Sequence, residues 1–189
     1  QFENRERLNL WTKALLVQTF GIIDAEDRSR IDSLLADLAG EAIVSATGTH
    51  WEEPDQDVRN MNTDTRTTAL VLSAMAQFDP ENPYAANAVR WLMSARTAGR
   101  WSSTYETAWT VMGLTDWMIA TGELQAEYSY TVSVNGGLGV QDMASTQNVA
   151  EQRRLQVAVS DLLLDQPNLV ILERTEGPGR LYYTADLKY

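Results

Sequence analysis

The sequence has no cysteine and one histidine, His50. The absence of cysteine excludes disulfide bridges, thiol nucleophiles and cysteine-ligated metal sites. A Ser-His-Asp triad would have to use His50, and the Gly-x-Ser-x-Gly turn that presents a nucleophilic serine does not occur. We therefore predict that His50 is a connector residue without a catalytic role.

Basic residues are scarce too: 15 Lys and Arg stand against 26 Asp and Glu, for a net charge of -11. They form no run, whereas binding to a phosphate backbone requires clustered positive charge, so the composition argues against a nucleic-acid partner. No apolar run approaches the roughly 18 residues of a membrane span, and no secretory signal is present. Because the chain starts at Gln1 without a methionine and ends in a strand-like stretch, we expect it to be an excerpt of a longer protein.

What the chain does contain is a repeated helix start on a background rich in apolar residues and tryptophan. The motif Thr65, Thr68, Ala69, Leu70, Leu72, Met75 recurs at the same spacing as Thr104, Thr107, Ala108, Trp109, Val111, Leu114. A third copy is Ala14, Leu15, Val17, Phe20. Repeats of this length predict stacked helical hairpins, each pairing one threonine-rich inner helix with one outer helix.

Helical periodicity and capping residues predict five helices. The first spans 4–20 and ends at Gly21. The second has Asp24 as N-cap and Asp27 in the capping-box position, and it ends near Gly40. A connector over 41–62 follows, in which Ile43 and Val44 start a short extended piece. The remaining helices are predicted at 65–78, from Asn82 and Pro83 to Gly99, and at 104–120 with a stop at Gly122.

The C-terminal third has the alternation and turn residues of β-strands. We predict strands over 128–134, 154–159, 168–173 and 181–189, with a turn at Asn135 and a loop over 136–150. The fold class is therefore α+β by segregated segments. We place the helical domain at residues 1–124 and the β segment at residues 125–189.

Several stretches together resemble the thioester domain of the alpha-2-macroglobulin and complement family, and the bacterial macroglobulins most of all. The similar helices are Thr65–Met75 (TRTTALVLSAM), Ala88–Met93 (AVRWLM) and Gly99–Trp109 (GRWSSTYETAW). His50–Pro54 (HWEEP) resembles the connector before those helices, and Gly177–Tyr189 (GPGRLYYTADLKY) resembles the segment after the domain. The resemblance covers nearly the whole chain and depends on the order and spacing of these stretches.

The resemblance implies half of an α/α toroid followed by an antiparallel β-sheet segment of a CUB-type sandwich. The parent would be a broad-spectrum protease trap of the bacterial periplasm or cell surface, and its partners would be the proteases that it captures. The family's thioester joins a Cys and a Gln in a Cys-x-x-Gln motif, which a chain without cysteine does not carry. Val149–Gln152 resembles this motif with valine in place of cysteine, and we interpret it as chance. The family's assisting histidine lies upstream of the matched helices, so His50 does not take its place.

Other chemical patterns are weak, and we predict no catalytic, cofactor-binding or metal site in this chain and no enzymatic activity. Glu52, Glu53, Asp55 and Asp57 near His50 lack the ligand spacing and the glycine of a calcium loop, since Arg59 takes a ligand position. A Glu52 and Asp55 pair would suit glycoside hydrolysis, and Gly99–Trp101 matches a fragment of terpene cyclases, whose aspartate-rich motif is missing. Gly136, Gly137 and Gly139 belong to a hairpin loop.

Two rival interpretations stay open: a fragment of a toroidal enzyme, cyclase-like or glycan-processing, and a protein-interaction module. The resemblance also leaves open whether the parent carries the thioester and a membrane anchor. We further predict that Trp91, Trp101 and Trp109 are largely buried between hairpins, and that the chain self-associates through exposed sheet edges.

Overall fold

The computed structural model of the protein describes residues 2–24, 26, 28–53 and 61–187. The chain divides into two compact units, Gln1–Thr121 and Gly122–Tyr189. The first is helical and the second contains a small antiparallel sheet, so the α+β order of segments is confirmed. Within the described ranges, no helix has the length and apolar character needed to cross a membrane.

The helical unit begins with a short 3₁₀ segment, Phe2–Arg7. Five α-helices follow within its described part: α1 (Leu10–Ile23), α2 (Arg28–Gly40), α3 (Asp64–Phe78), α4 (Pro83–Ser94) and α5 (Thr104–Ala120). Strands β1 (Ile43–Ser45) and β2 (Gly48–His50) form an antiparallel hairpin between α2 and α3. The extended piece predicted at Ile43 and Val44, and helices α3 and α5, are confirmed within a residue.

The first two helices differ from the prediction at their ends. Helix α1 begins at Leu10, not at residue 4, and it continues through Gly21 to Ile23. A glycine is needed at position 21, because a Cβ there would overlap the ring of Phe78 on α3. Asp24 is the C-cap of α1, not the N-cap of α2, and Asp27 lies outside the described residues. Helix α4 starts as predicted at Asn82 and Pro83 but ends at Ser94, well before Gly99.

Helix α3 forms the centre of the unit. Every residue from Arg66 to Ala76 is buried. Helices α1 and α5 both pack against α3, while α2 packs on α1 and α4 packs on α3 and on strand β2. The three threonine-rich helices are thus neighbours in a row, and we call α1, α3 and α5 the inner helices.

Two tryptophans anchor the connections from outer helices to inner helices in the same way. The Trp51 indole N–H donates to the carbonyl of Leu38 at 2.6 Å, and the Trp101 indole N–H donates to the carbonyl of Leu92 at 2.9 Å. Each carbonyl belongs to the third residue from the end of its helix, beyond the reach of the regular helical hydrogen bonds. The Leu38 carbonyl also accepts from the Glu41 N–H at 3.2 Å. The hairpin repeat therefore extends beyond the inner-helix motif to the way each outer helix is capped.

The second unit contains strands β3 (Tyr128–Val134), β4 (Gly137–Ala144) and β5 (Val170–Arg174), in the order β4-β3-β5. Both pairings are antiparallel. The turn between β3 and β4 uses Asn135 and Gly136, both at positive φ, which is the geometry of a tight hairpin turn. Tyr128 is a buried hub of this unit, because its hydroxyl donates to the Arg180 carbonyl and its ring lies 4.1 Å from the Arg174 guanidinium.

Three predictions for the β unit, one loop and two strands, were wrong in whole or in part. Residues 137–144, predicted as loop, form β4, because the tight turn places them opposite β3. Residues 154–158, predicted as strand, are exposed and irregular, and a 3₁₀ turn starts at Val159. Residues 181–187 are irregular as well, and the end of that predicted strand lies outside the described residues. The strand predicted at 168–173 is confirmed with its start shifted to Val170.

Candidate functional site

Aromatic and charged side chains from the three inner helices meet near the helix starts. Three residues before each repeat alanine stand Trp11, Arg66 and Tyr105. These equivalent side chains meet in space: the Arg66 guanidinium lies 4.7 Å from the Trp11 ring centroid and 5.5 Å from that of Tyr105. The repeat is therefore in register across the three helices.

Arg66 is a buried cation among aromatic rings. Its side chain is 4% exposed, and Trp109 adds a third ring at 5.7 Å. Aromatic faces attract a guanidinium through their quadrupole, and the attraction grows when the cation is desolvated. Arg66 thereby ties the N-terminal turns of α1, α3 and α5 together.

A carboxylate from the connector caps helix α1. Glu53 accepts hydrogen bonds from the backbone N–H groups of Leu10 at 3.3 Å and Trp11 at 2.9 Å, and from the Thr67 hydroxyl at 3.2 Å. The local N-cap residue, Asn9, makes no such bond with its side chain. A carboxylate at this place satisfies donors that the helix leaves open and complements the helix dipole.

Unlike α1, the other two inner helices each carry an acid in their own first turn. At the start of α5, the Ser103 hydroxyl accepts from the Glu106 N–H at 3.1 Å, and the Glu106 carboxylate accepts from the Ser102 N–H at 3.0 Å. Asp64 in the first turn of α3 accepts the Glu53 N–H at 3.4 Å. Burial raises the pKa of Asp64, and this hydrogen bond opposes the rise only in part. These acids therefore bond to backbone groups at or near the helix starts.

Further along the row, a hydrogen-bonded network links the inner helices through Ser73. The Ser73 hydroxyl donates to the Asp116 carboxylate and accepts from the amides of Gln18 at 2.9 Å and Gln77 at 3.3 Å. Gln18 and Ser73 occupy equivalent positions, four residues after Ala14 and Ala69. The network thus repeats the lateral register seen at Arg66.

A cleft of about 220 Å³ opens beside this network, lined also by Trp109, Met112 and Gly113. Gly113 permits the close approach of α5 to α3, since a Cβ there would lie 2.5 Å from the Ala69 carbonyl oxygen. Ser73 has a carboxylate beside it and no imidazole among the described residues that line the cleft, so the pair lacks the base that activates a serine. The hydrogen bonds of Ser73 link α3 to α1 and α5.

The single histidine lies elsewhere, on the β1–β2 hairpin. The His50 ring stacks on Trp91 of α4 with centroids 4.6 Å apart and an interplanar angle of 1°. Its Nε2 is 2.9 Å from a Glu52 carboxylate oxygen. Gly48 makes this docking feasible, because a Cβ there would overlap the backbone of α4. The His50 ring therefore helps to hold the hairpin on α4.

The acidic connector does not gather into one site among the described residues. Glu52 bonds to His50, whereas Glu53 caps α1, and Asp55 and Asp57 lie outside the described residues. Across residues 2–24, 26, 28–53 and 61–187, no group of three or more His, Cys, Asp or Glu side chains has the arrangement of a metal site. In the β unit, Val149 and Ala150 belong to a turn after β4, and Glu151 and Gln152 follow it in irregular structure.

The three tryptophans predicted to be largely buried differ in degree of burial. Trp101 is 8% exposed, whereas Trp91 and Trp109 are partly buried and pack against the hydrophobic core. The most deeply buried tryptophans are Trp51 and Trp117, which the helix-start motif does not include. Trp51 was missed because it belongs to the connector, where periodicity gives no signal.

Comparison with known proteins does not assign the site. No protein-family model matches the chain, and no curated protein matches it.

Proposed function

We propose that this chain is part of a macroglobulin-like protease inhibitor and forms a wall of its thioester domain, without chemistry of its own. The observation that carries the proposal is the lateral register of the inner helices, in which Arg66 meets both Trp11 and Tyr105. Continuing such a row of helical hairpins generates a solenoid or a closed α/α toroid. The sequence resemblance to the thioester domain favours the toroid over the solenoid, and it implies that the parent is a protease trap.

The side chains of the inner face suit a mechanical role. Glu53, Arg66 and Ser73 each bond to neighbouring elements of the helical unit, and α3 is buried along almost its whole length. A wall of this kind transmits a collapse of the parent protein as a rigid body, because packed cores do not deform continuously. Under this proposal the β unit supplies strands of the adjoining CUB-type sandwich.

The proposal also implies the partners of the parent protein and its location. The partners are the proteases trapped by the parent protein, and the location is the bacterial periplasm or cell surface. The chain is not an enzyme and binds neither nucleic acid nor a cofactor.

The parent gene and its product test the proposal. A Cys-x-x-Gln motif in the reading frame upstream of Gln1 supports it, and an aspartate-rich or paired-carboxylate motif there contradicts it. The parent protein, treated with a protease, should leave that protease active on small peptides but inactive on large protein substrates. Full activity on both substrates would refute the inhibitor.

A fragment of a glycan-processing toroidal enzyme is the second candidate, and the cleft beside Asp116 and Trp109 is the observation in its favour. Glycoside hydrolysis requires two carboxylates about 5–10 Å apart. Among the described residues that line the cleft, Asp116 is the single carboxylate, and its hydrogen-bond partners there are the Ser73 hydroxyl and the Gln77 amide. Incubation with ester, glycoside and polyprenyl substrates decides: turnover that disappears in Asp116→Asn or His50→Ala would favour the enzyme.

A further inference from the structure

The hydrogen bonds around Ser73 use the donors of that network among themselves. Ser73 is 7% exposed, and its hydroxyl donates its single proton to the Asp116 carboxylate, which can only accept. The Ser73 oxygen accepts in turn from the amides of Gln18 and Gln77. Each glutamine therefore directs its NH₂ group at Ser73 and turns its carbonyl oxygen away from it.

Three oxygen atoms of the network are left without a donor among the described residues. They are the second carboxylate oxygen of Asp116 and the side-chain carbonyl oxygens of Gln18 and Gln77. None of the ion pairs within the described residues includes Asp116. Since all three side chains line the cleft, the network offers one negative charge and three acceptors there, against one spare N–H of Gln18.

The rest of the cleft is apolar and small. Trp109 and Met112 of α5 form one side, and Ala69 and Leu70 of α3 lie at its base. The volume of about 220 Å³ is below the roughly 300–1,000 Å³ of sites for drug-sized ligands, so the cleft suits a small group. The combination of a polar end and an apolar side fits a ligand with a charged head on a short hydrocarbon chain.

We infer that the cleft binds an alkylammonium group, carried either by a small amine or by a lysine side chain of a polypeptide. An ammonium has three N–H donors and no acceptor, which matches the three oxygens in number. Its charge complements Asp116, and the net charge of -11 favours the approach of a cation. The alkyl chain lies along Trp109 and Met112.

The inference rests on side chains of α1, α3 and α5 alone. These three helices are consecutive in the row, so the site does not depend on what adjoins either end of the row. It involves no reaction, and it does not require the proposed inhibitor function.

NMR titration of the full chain with three matched probes tests the site. The readouts are the side-chain amide signals of Gln18 and Gln77 and the indole N–H signal of Trp109. At constant ionic strength, n-butylammonium should shift these signals at concentrations at least tenfold lower than n-butanol, which lacks the charge, or ammonium, which lacks the chain. Equal binding of n-butanol, equal binding of ammonium, or no shift with n-butylammonium overturns the inference.

A charge-removing variant tests the role of Asp116. Asp116→Asn keeps the shape of the side chain and should weaken n-butylammonium binding at least tenfold. Glu41→Gln is the matched control, because it removes the same charge from an exposed residue just after α2 and should leave binding unchanged. Circular dichroism verifies that both variants keep their helices, and the probe comparison on the wild type decides if Asp116→Asn does not fold. Binding that survives in Asp116→Asn, or that falls equally in Glu41→Gln, contradicts the inference.

A lysine with both termini capped distinguishes the two sources of the alkylammonium group. Binding at least as tight as that of n-butylammonium supports a lysine side chain of a polypeptide, and clearly weaker binding supports a small amine. Shifts from capped norleucine equal to those from capped lysine would overturn the inference, because norleucine has the chain without the charge.

Discussion

The two units of this protein differ in how far each buries its own apolar residues. Among the described residues, the buried apolar side chains belong to the helical unit with two exceptions, Ala126 and Tyr128. The β unit instead exposes many large apolar side chains, including Leu138, Met143, Leu155, Leu164, Tyr182 and Tyr183. Helical hairpins bury a core by stacking on their sequence neighbours, whereas a three-stranded sheet needs a second layer to cover its faces.

This difference implies that the helical unit is stabilised by its own contacts, whereas the β unit needs a further layer to cover its apolar residues. The helical unit satisfies its helix ends internally, through Glu53, Trp51 and Trp101. The β unit holds together through strand pairing and the contacts of Tyr128, and among the described residues no further strand pairs with the edge strands β4 and β5. We therefore expect substitutions in the helical core to cost far more than substitutions elsewhere, and the predictions below are ordered by that expectation.

The largest effect is expected for Trp51→Ala. Trp51 is fully buried, and both its indole and its backbone N–H donate hydrogen bonds. Loss of the ring should lower the free energy of unfolding by about 3–5 kcal/mol. Urea denaturation followed by circular dichroism measures this cost. Trp109→Ala is the graded control, because Trp109 is only half-buried and should cost clearly less. Equal costs would mean that the burial contrast does not set the stability.

Gly113→Leu should cost about 1–3 kcal/mol by forcing α5 away from α3. The reason is the 2.5 Å between an added Cβ and the Ala69 carbonyl oxygen. Gly40→Ala is the matched control, since no atom lies within 4 Å of a Cβ at the end of α2. Thermal melts of both variants test the prediction. A Gly113→Leu variant as stable as Gly40→Ala would show that the inner helices do not approach closely here.

Ser73→Ala should cost about 1–3 kcal/mol, because it leaves the Asp116 carboxylate and the Gln18 amide without their shared partner. Ser33→Ala on α2 removes an exposed hydroxyl that bonds only to the Ser29 carbonyl, and its effect should stay within about 0.5 kcal/mol. Chemical denaturation of the two alanine variants side by side gives the comparison. Similar small losses would mean that the Ser73 network contributes nothing to the packing of the row.

The smallest effect concerns the ionisation of Asp64. Burial raises the pKa of Asp64, so the folded state holds its proton to higher pH than the unfolded state does. Stability relative to Asp64→Asn is therefore greatest below the unfolded pKa, and it declines as the pH rises through the folded pKa. Unfolding free energies of both proteins between pH 3 and 7 measure this. A difference that grows in favour of wild type with rising pH contradicts the assignment.

The elements that local sequence determines were predicted well. Helix α4 starts at Asn82 and Pro83 because the cap and the fixed proline φ act within one turn. The start of α1 could not be predicted, because its cap is Glu53, 43 residues away along the chain. A hydrogen bond between residues so far apart in the chain leaves no periodic signal in the sequence.

Strand pairing was harder to predict for the same reason. Residues 154–158 alternate as a strand does but remain unpaired, whereas the glycine-containing segment of β4 pairs because the turn at Asn135 delivers it to β3. For the inner helices, the sequence repeat shows which positions of α1, α3 and α5 are equivalent. It does not reveal that Trp11, Arg66 and Tyr105 meet, which depends on the lateral register of three helices.

Native-state hydrogen exchange of the full chain tests the central claim most directly. The account predicts that amides of α3, from Ala69 to Ala76, exchange only through global unfolding of the helical unit and are the slowest in the protein. It predicts that amides of β3 to β5 exchange through smaller openings, orders of magnitude faster. Strand amides as protected as those of α3 would contradict it, because the β unit would then be stable without any further layer.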